Sequence, residues 1–164
     1  MITNSALETE KLGEKLAKDI KQGRVIALYG ELGAGKTTFV KGLARGLKIK
    51  KRIISPTFIF IREYKLLGSE KARAKEKSLV LKEKELSFKE LASARFLFHI
   101  DLYRIDKLED TYSLGLEEIL SDSKNIIVIE WPEKIKKLLP RKRIEAYFKY
   151  LDKDQRRINI KTLK

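Results

Sequence analysis

The stretch Gly30-Glu31-Leu32-Gly33-Ala34-Gly35-Lys36-Thr37 joins an apolar run, Arg24 to Tyr29, to a segment of helical period, Thr37 to Leu47. The run is typical of a short buried strand, and the apolar spacing after the loop predicts a helix. A strand, a glycine-rich loop and a helix in this order match the Walker A motif, or P-loop, which holds nucleotide phosphates. A simple tight turn would need the glycines but neither Lys36 nor Thr37. The stretch therefore predicts a P-loop that binds ATP with Mg²⁺.

Each residue type in the loop suits one part of this chemistry. The glycines let the backbone adopt positive φ, so that several N–H groups converge on an anion at the start of a helix. Lys36 can reach the β- and γ-phosphates, the Thr37 hydroxyl can bind Mg²⁺, and Thr38 can donate to a phosphate. The predicted nucleotide-binding residues of this region are Gly33, Ala34, Gly35, Lys36, Thr37 and Thr38.

Two further apolar runs each end in a carboxylate. Arg95 to Asp101 and Asn125 to Glu130 both resemble buried strands. Open α/β sheets bind ligands at the carboxyl ends of their strands, and chemistry on Mg²⁺-nucleotides needs carboxylates near the phosphates. We therefore name Lys36, Asp101 and Glu130 as catalytic candidates. The patterns alone leave open which of the two acids meets the metal.

Strand and helix patterns alternate along the rest of the chain. Helical patterns run from Ser5 to a stop at Gly23, around Leu108 to Leu120, and from Glu133 to Leu139. Extended segments are predicted at Ile53-Ile54 and Phe58 to Ile61, and a terminal hairpin at Ile144 to Phe148 and Ile158 to Ile160. This alternation predicts an α/β protein with the P-loop NTPase fold: a mostly parallel sheet flanked by helices, with a C-terminal antiparallel hairpin. The only histidine, His99, lies within an apolar strand, and we interpret it as a core residue without a catalytic role.

Length and composition limit the remaining possibilities. The 164 residues fit one domain, so residues 1–164 are treated as a single P-loop domain with a charged insertion at about 66–95. The absence of cysteine excludes disulfides and thiolate metal sites. No apolar run resembles a signal peptide or a membrane span, so we expect a cytoplasmic protein. The net charge of +14 makes a polyanion such as RNA a candidate partner.

Motifs beyond the glycine loop make the sequence resemble one particular family of P-loop proteins. They are Ser55-Pro56-Thr57-Phe58, Glu63-Tyr64, His99-Ile100-Asp101-Leu102-Tyr103-Arg104, Leu114-Gly115-Leu116-Glu117-Glu118 and Glu130-Trp131-Pro132-Glu133. With the loop, they make the chain resemble the TsaE family, the bacterial P-loop ATPases of tRNA threonylcarbamoyladenosine biosynthesis. The resemblance runs from about Thr9 to the end of the sequence, and only the charged insertion departs clearly from the family's pattern.

The resemblance implies Mg²⁺-dependent ATP hydrolysis in the service of other proteins. Members of the family act with the TsaD and TsaB proteins, which modify the adenosine next to the tRNA anticodon, and do not transfer the threonylcarbamoyl group themselves. Hydrolysis is then slow in the isolated protein and stimulated by the partners. The basic charge adds tRNA as a candidate partner, contacted directly or through the complex, and we expect no association with a membrane.

The resemblance also assigns roles to individual positions. It implies that Thr37 and Glu130 bind Mg²⁺ and that Asp101 supports the metal or the attacking water. It also implies that Thr57 senses the γ-phosphate and that Trp131 lies by the nucleotide site.

Two positions outside the central motifs are also matched. Thr9 corresponds to a threonine beside the nucleotide, and either Arg156 or Arg157 to a late nucleotide-proximal residue. We further hypothesise that the insertion and the basic run from Lys134 to Arg143 face the partner or its tRNA.

Three other classes remain as alternatives. A P-loop small-molecule kinase shares the loop and the sheet, but it would need an acceptor pocket and an arginine-rich lid, and it leaves the later motifs unexplained. A GTPase is disfavoured because no Asn-Lys-x-Asp sequence occurs. A non-enzymatic RNA-binding module is suggested by charge alone, and it predicts RNA binding that survives Lys36→Ala.

Overall fold

A computed structural model describes residues 1–20, 24–66 and 95–164. The charged insertion predicted at about 66–95 lies outside the described residues except at its two ends, and it stays a prediction. The strands are β1 (Ile2–Thr3), β2 (Arg24–Tyr29), β3 (Ile61–Leu66), β4 (Arg95–Asp101), β5 (Ile126–Glu130), β6 (Arg143–Asp152) and β7 (Gln155–Leu163). The α-helices are α1 (Ala6–Asp19), α2 (Lys36–Gly46) and α3 (Leu116–Ser121), and 3₁₀ turns span Leu108–Leu114 and Pro132–Ile135.

All seven strands form one sheet in the order β1-β7-β6-β2-β5-β4-β3. The four central strands, β6, β2, β5 and β4, run parallel to one another. The pairs β1–β7, β6–β7 and β3–β4 are antiparallel. The α/β class and the C-terminal hairpin are thus confirmed, whereas the prediction of a mostly parallel sheet holds only for its centre. Strands β6 and β7 are joined by only two residues, Lys153 and Asp154, and so short a connection pairs its strands antiparallel.

The sheet separates two hydrophobic cores. Apolar side chains of β2 alternate, so that Ile26 and Leu28 pack under α1 and α2, while Val25 packs on the other face. That second face is covered by α3, the 3₁₀ turns and the segment around Leu139. Every residue of β5 is buried, as expected of a central parallel strand. In the described part of the chain, no helix has the length and apolarity needed to cross a membrane.

Helix α1 begins as the sequence predicts. The Ser5 hydroxyl accepts a hydrogen bond from the Glu8 N–H at 3.1 Å, and the Glu8 carboxylate accepts the Asn4 N–H at 2.8 Å. Side-chain acceptors thus satisfy N–H groups at the start of the helix. The helix ends at Asp19, and the predicted stop at Gly23 lies outside the described residues.

Three local predictions are wrong. The segment Glu133 to Leu139 forms a 3₁₀ turn only at Pro132–Ile135, because Trp131 before it adopts the left-handed conformation and gives the helix no N-cap hydrogen bond. Gly115, with φ 62°, divides the predicted helix at Leu108 to Leu120 into a 3₁₀ turn and α3.

The third error concerns the segment before β3. Neither Ile53-Ile54 nor Phe58 to Phe60 is a strand. The carbonyl oxygen of Pro56 accepts the N–H groups of Ile59 and Phe60 at 2.8 and 2.6 Å, which closes a turn that an isolated apolar pattern does not reveal.

Helices α1 and α2 meet backbone to backbone. A Cβ atom added to Gly42 would lie 1.8 Å from the carbonyl oxygen of Glu10, and one added to Gly13 would lie 2.2 Å from that of Phe39. An ion pair between Glu10 and Arg45 joins the same two helices at the surface. The glycines therefore permit the close contact that holds α2, and with it the end of the glycine loop, against α1.

We expect Gly42→Ala to lower the free energy of unfolding by about 2 kcal/mol, since the added methyl group meets backbone rather than a movable side chain. The higher helix propensity of alanine offsets about 1 kcal/mol of the steric cost. Urea denaturation measures the difference. Lys41→Ala, at the neighbouring exposed position, serves as the control and is expected to leave stability unchanged. Equal stability of Gly42→Ala and the wild type would contradict the proposed contact.

Candidate active site

The glycine loop connects β2 to α2 at the carboxyl edge of the parallel strands. Gly30, Gly33 and Gly35 have φ values of 142°, 77° and 99°, a region in which other residues are strained. A Cβ atom at Gly35 would also lie 2.9 Å from Cδ of Arg156. Helix α2 starts at Lys36, so its unpaired N-terminal N–H groups lie at the loop, the arrangement that binds phosphates.

Lys36 extends back over the loop that precedes it. Its ammonium donates to the carbonyl oxygens of Gly30 at 2.6 Å and Glu31 at 2.9 Å. The same nitrogen lies 4.2 Å from the centre of the Trp131 ring, a cation–π distance. The side chain is only 4% exposed. The loop therefore encloses a buried cation at the point where a phosphate would be recognised.

Three nearby carboxylates favour the charged form of Lys36, which burial disfavours. Burial lowers the pKa of Lys36 from its ordinary value, while the charges of Glu130, Asp101 and Glu133 act in the opposite direction. Asp101 and Glu130 are aligned on the adjacent parallel strands β4 and β5, so both acids reach the same edge of the sheet. The structure thus brings together the three residues named as catalytic candidates from the sequence.

Glu130 is the centre of a buried hydrogen-bonded group. The Thr37 hydroxyl lies 2.8 and 3.1 Å from its two carboxylate oxygens and donates to them. Nε2 of His99 lies 2.9 Å from Oε1. His99 is fully buried, and its Nδ1 has no hydrogen-bond partner among the described residues. A carboxylate oxygen can accept this hydrogen bond when Nε2 of the imidazole carries the proton.

His99 is a residue whose contact sequence reasoning missed. The histidine lies two residues before Asp101 in the same strand, and in a strand this spacing places both side chains on one face of the sheet. That periodicity is the signal that could have associated His99 with the acids. Its partner could not be identified without the pairing of β4 with β5.

Asp101 anchors the segment that follows α2. Its Oδ2 accepts hydrogen bonds from the hydroxyls of Ser55 and Thr57, both at 2.6 Å, and its Oδ1 accepts the N–H of Tyr103 at 3.0 Å. The two hydroxyls also lie 2.8 Å from each other. Asp101 therefore positions Thr57 at the edge of the site, and Ser55 joins the group as a contact that the sequence did not single out.

Two non-glycine residues beside the site have left-handed backbone conformations. Trp131 has φ 61° and Phe60 has φ 62°. The Trp131 ring packs 5.1 Å from that of Tyr103, and the Phe60 carbonyl accepts the N–H of Asp101 at 2.9 Å. Strained backbone of this kind persists where surrounding contacts hold it. Here it turns the indole towards Lys36.

Of the two late arginines, the structure places Arg156 at the loop. Its Cδ and Nε would lie 2.9 and 3.1 Å from a Cβ atom on Gly35, and its Nη1 donates to the carbonyl of Asp154 at 2.6 Å. Nε is buried and has no hydrogen-bond partner in the described residues. Arg157, the next residue of β7, belongs to the other face of the sheet, because successive side chains alternate.

Thr9 is also near the loop, but its hydroxyl is already engaged. It donates to the carbonyl of Ser5 at 3.1 Å and lies 2.9 Å from the Thr3 hydroxyl. Its methyl group would lie 3.7 Å from a Cβ atom at Gly35. In the fold as described, Thr9 packs behind the loop.

Comparisons with known proteins relate this chain to one family. The model of the family described as threonylcarbamoyl adenosine biosynthesis protein TsaE matches residues 3–75 and 85–158. The tRNA threonylcarbamoyladenosine biosynthesis protein TsaE of Rickettsia bellii is 35% identical over 161 residues, which cover 97% of this chain and 92% of that protein. The corresponding protein of Treponema pallidum is 30% identical, with 97% of each chain covered.

A solved structure shares the fold. The crystal structure of Bacillus subtilis YdiB aligns with a TM-score of 0.67 and 29% sequence identity, covering 99% of this chain and 83% of that one. The tRNA threonylcarbamoyladenosine biosynthesis protein TsaE of the same organism is 33% identical to this chain, with 93% and 78% of the two chains covered. On the family match and these near full-length relatives, the chain belongs to the TsaE family.

Proposed function

We propose that this protein is a Mg²⁺-dependent ATPase that supports tRNA threonylcarbamoyladenosine biosynthesis by acting on the proteins that perform the modification. One observation carries the proposal: a buried lysine inside a glycine loop lies beside a carboxylate that already holds the first threonine of the following helix. Simple packing does not require a cation, an anion and a hydroxyl to be buried together. Nucleotide chemistry does.

ATP is the proposed ligand of the loop. Phosphate oxygens would accept from the backbone N–H groups at the start of α2, and Lys36 would exchange its bonds to the carbonyls of Gly30 and Glu31 for bonds to phosphate. Thr38, in the first turn of α2, adds a further donor. Trp131 then packs beside the nucleotide, and Arg156 is the proposed nucleotide contact on β7.

The residues also fit Mg²⁺. In the described part of the chain, no group of three or more histidine, aspartate or glutamate side chains could hold a metal by itself. The donors at the site are instead the hydroxyl of Thr37 and the carboxylate of Glu130, which are hard oxygen ligands. Mg²⁺ is commonly bound by one or two such protein ligands together with substrate phosphates and waters. When bound, it neutralises charge that develops on the phosphates during transfer.

Asp101 and Thr57 are proposed to act on the γ-phosphate side. Asp101 holds the Thr57 hydroxyl by a hydrogen bond. In the proposed role, that hydroxyl responds to the γ-phosphate or to the water that attacks the γ-phosphate. Because phosphoryl transfer depends mainly on positioning and charge stabilisation, we expect the isolated protein to turn over slowly unless a partner completes the site.

An ATPase assay with stepwise addition tests the proposed role. Hydrolysis is measured for this protein alone, then with TsaD and TsaB, and then with tRNA added. We expect TsaD and TsaB together to stimulate hydrolysis, since the proposed output of the ATPase is a change in those proteins. No stimulation by the pair would contradict the proposal. ATP consumption that required a small-molecule acceptor would instead indicate a kinase.

His99 is proposed to position Glu130. We expect His99→Leu to weaken the Mg²⁺-dependent gain in nucleotide affinity by about 10–100-fold, as is typical when the hydrogen-bond partner of a metal ligand is removed. Titration of a fluorescent ADP analogue with and without Mg²⁺ measures this gain.

The matched variant is His99→Gln, whose amide N–H can still donate to Glu130 and should recover much of the loss. Nucleotide affinity measured in EDTA should stay close to wild type in both variants. If His99→Leu only lowers the melting temperature and leaves the Mg²⁺ dependence intact, the residue is merely part of the core.

A further inference from the structure

A charged and aromatic surface covers one face of the terminal hairpin. Along β6 and β7, alternate residues point away from α1 and α2. We call this surface the hairpin face, and it comprises Tyr147, Lys149, Arg157, Asn159 and Lys161. All five are exposed. It lies on the opposite side of the sheet from α2 and from Arg156, so it is separate from the glycine loop.

Two cations on this face lie directly opposite each other. Lys149 and Arg157 are cross-strand partners in the antiparallel ladder, and like charges in that position are destabilising. Neither has a carboxylate within ion-pair distance in the described part of the chain. The nearest buried acid, Glu145, is already paired with Arg143 at 2.7 Å. The fold thus retains a repulsion that an external anion would relieve.

An aromatic platform lies beside this pair of cations. Tyr147 is 39% exposed and stacks on Tyr29, with ring centres 4.7 Å apart and an interplanar angle of 9°. Its hydroxyl donates to Glu145 at 2.7 Å, a bond that raises the pKa of Tyr147 to about 12 and keeps the ring neutral. Lys161 places its ammonium 5.5 Å from the ring centre. Tyr29 and Glu145 therefore fix the ring in position, and Lys161, the cross-strand partner of Glu145, is the cation that lies over it.

We propose that the hairpin face binds single-stranded RNA. Phosphates lie between Lys149 and Arg157, and a base stacks on the face of Tyr147 that Tyr29 leaves open, displacing the Lys161 ammonium from the ring to a phosphate. An acidic protein surface would satisfy the cations but would not need a rigid, exposed ring between them. Fixed aromatic rings next to basic side chains are the features by which proteins hold unpaired bases. Because the surface is separate from the loop, the inference does not rest on the proposed ATP hydrolysis.

The test is fluorescence anisotropy with a labelled single-stranded oligouridylate of about 12 nucleotides, within the range bound by such surfaces. We expect Lys149→Glu to weaken binding by about tenfold and to reduce the slope of log affinity against log salt by about 0.7, the loss of one phosphate contact. The same substitution places a negative charge opposite Arg157 in the ladder. The melting temperature of the variant should therefore be equal to or higher than that of the wild type. A fall in affinity therefore cannot be attributed to unfolding.

Matched variants distinguish RNA binding by the hairpin face from a general attraction of RNA to positive charge on the protein. Lys41→Glu makes the same charge change on the exposed side of α2 and should bind RNA nearly as wild type does. Tyr147→Leu should weaken binding by about tenfold through lost stacking, while Tyr147→Phe should keep the affinity. Lys36→Ala should bind RNA normally, which would place the RNA away from the loop. Lys149→Glu should keep the ATPase activity of the wild type.

Several results would overturn the proposal. They are the absence of salt-sensitive RNA binding by the wild type, equal losses in Lys149→Glu and Lys41→Glu, and loss of RNA binding in Lys36→Ala. Binding of duplex RNA as tight as that of the single strand, with Tyr147→Leu unaffected, would also overturn it. None of these results bears on ATP hydrolysis, which is measured separately.

Discussion

Lys36→Ala is expected to abolish measurable nucleotide binding and to lower ATP hydrolysis by a factor of about 10²–10³ or more, the usual effect of removing one preorganised charge from a transition state. The expectation follows from burial. Lys36 is only 4% exposed and its ammonium lies within the glycine loop, so neither water nor another lysine can replace it there. The substitution also leaves Asp101 and Glu130 facing the phosphates without the cation that offsets their charge.

Two measurements check this expectation. Binding of a fluorescent ATP analogue reports affinity, and release of phosphate reports turnover. Lys41→Ala removes an exposed lysine from the same helix and serves as the matched control, with activity expected to stay at the wild-type level. Circular dichroism confirms that both variants are folded. ATP hydrolysis retained by Lys36→Ala would defeat the P-loop interpretation altogether.

Glu130→Gln is expected to separate nucleotide binding from metal-dependent hydrolysis. Glutamine keeps the size of the side chain and an oxygen that can accept from Thr37 and His99, but it removes the negative charge that suits Mg²⁺. We therefore expect ADP to bind with near wild-type affinity in EDTA, the gain in affinity on adding Mg²⁺ to disappear, and turnover to fall by about 10²–10³. Because the charge of Glu130 offsets the burial of the Lys36 cation, its removal should also lower stability, and circular dichroism is needed to show that the variant is folded under the assay conditions.

The control for this variant is Glu133→Gln. Glu133 also acts on the pKa of Lys36, but it is exposed, and in the described part of the chain the Thr37 hydroxyl donates to Glu130 rather than to Glu133. We expect its substitution to leave the Mg²⁺ dependence unchanged. Should Glu130→Gln hydrolyse ATP at the wild-type rate, Glu130 would not be the metal ligand, and Asp101 would be the next candidate.

Local pattern was enough to predict the elements around the loop. The apolar run of β2, the glycines and the period of α2 are each defined by residues close in sequence, so the structure follows the prediction to within a residue. The alternation on both strands also predicted the terminal hairpin, although its strands extend several residues beyond the predicted segments, to Asp152 in β6 and from Gln155 to Leu163 in β7. Predictions failed where a single backbone conformation decided the outcome. Trp131 and Phe60 adopt positive φ because tertiary contacts hold them there.

Residue type and short-range period were sufficient to predict the α/β class, the position of the glycine loop and the acids at two strand ends. The contacts between these groups became visible only in the folded protein: Glu130 with both Thr37 and His99, Asp101 with Ser55 and Thr57, and Arg156 rather than Arg157 with the loop. Strand order and register set these contacts. They depend on pairing between residues far apart in the chain, which local pattern does not encode.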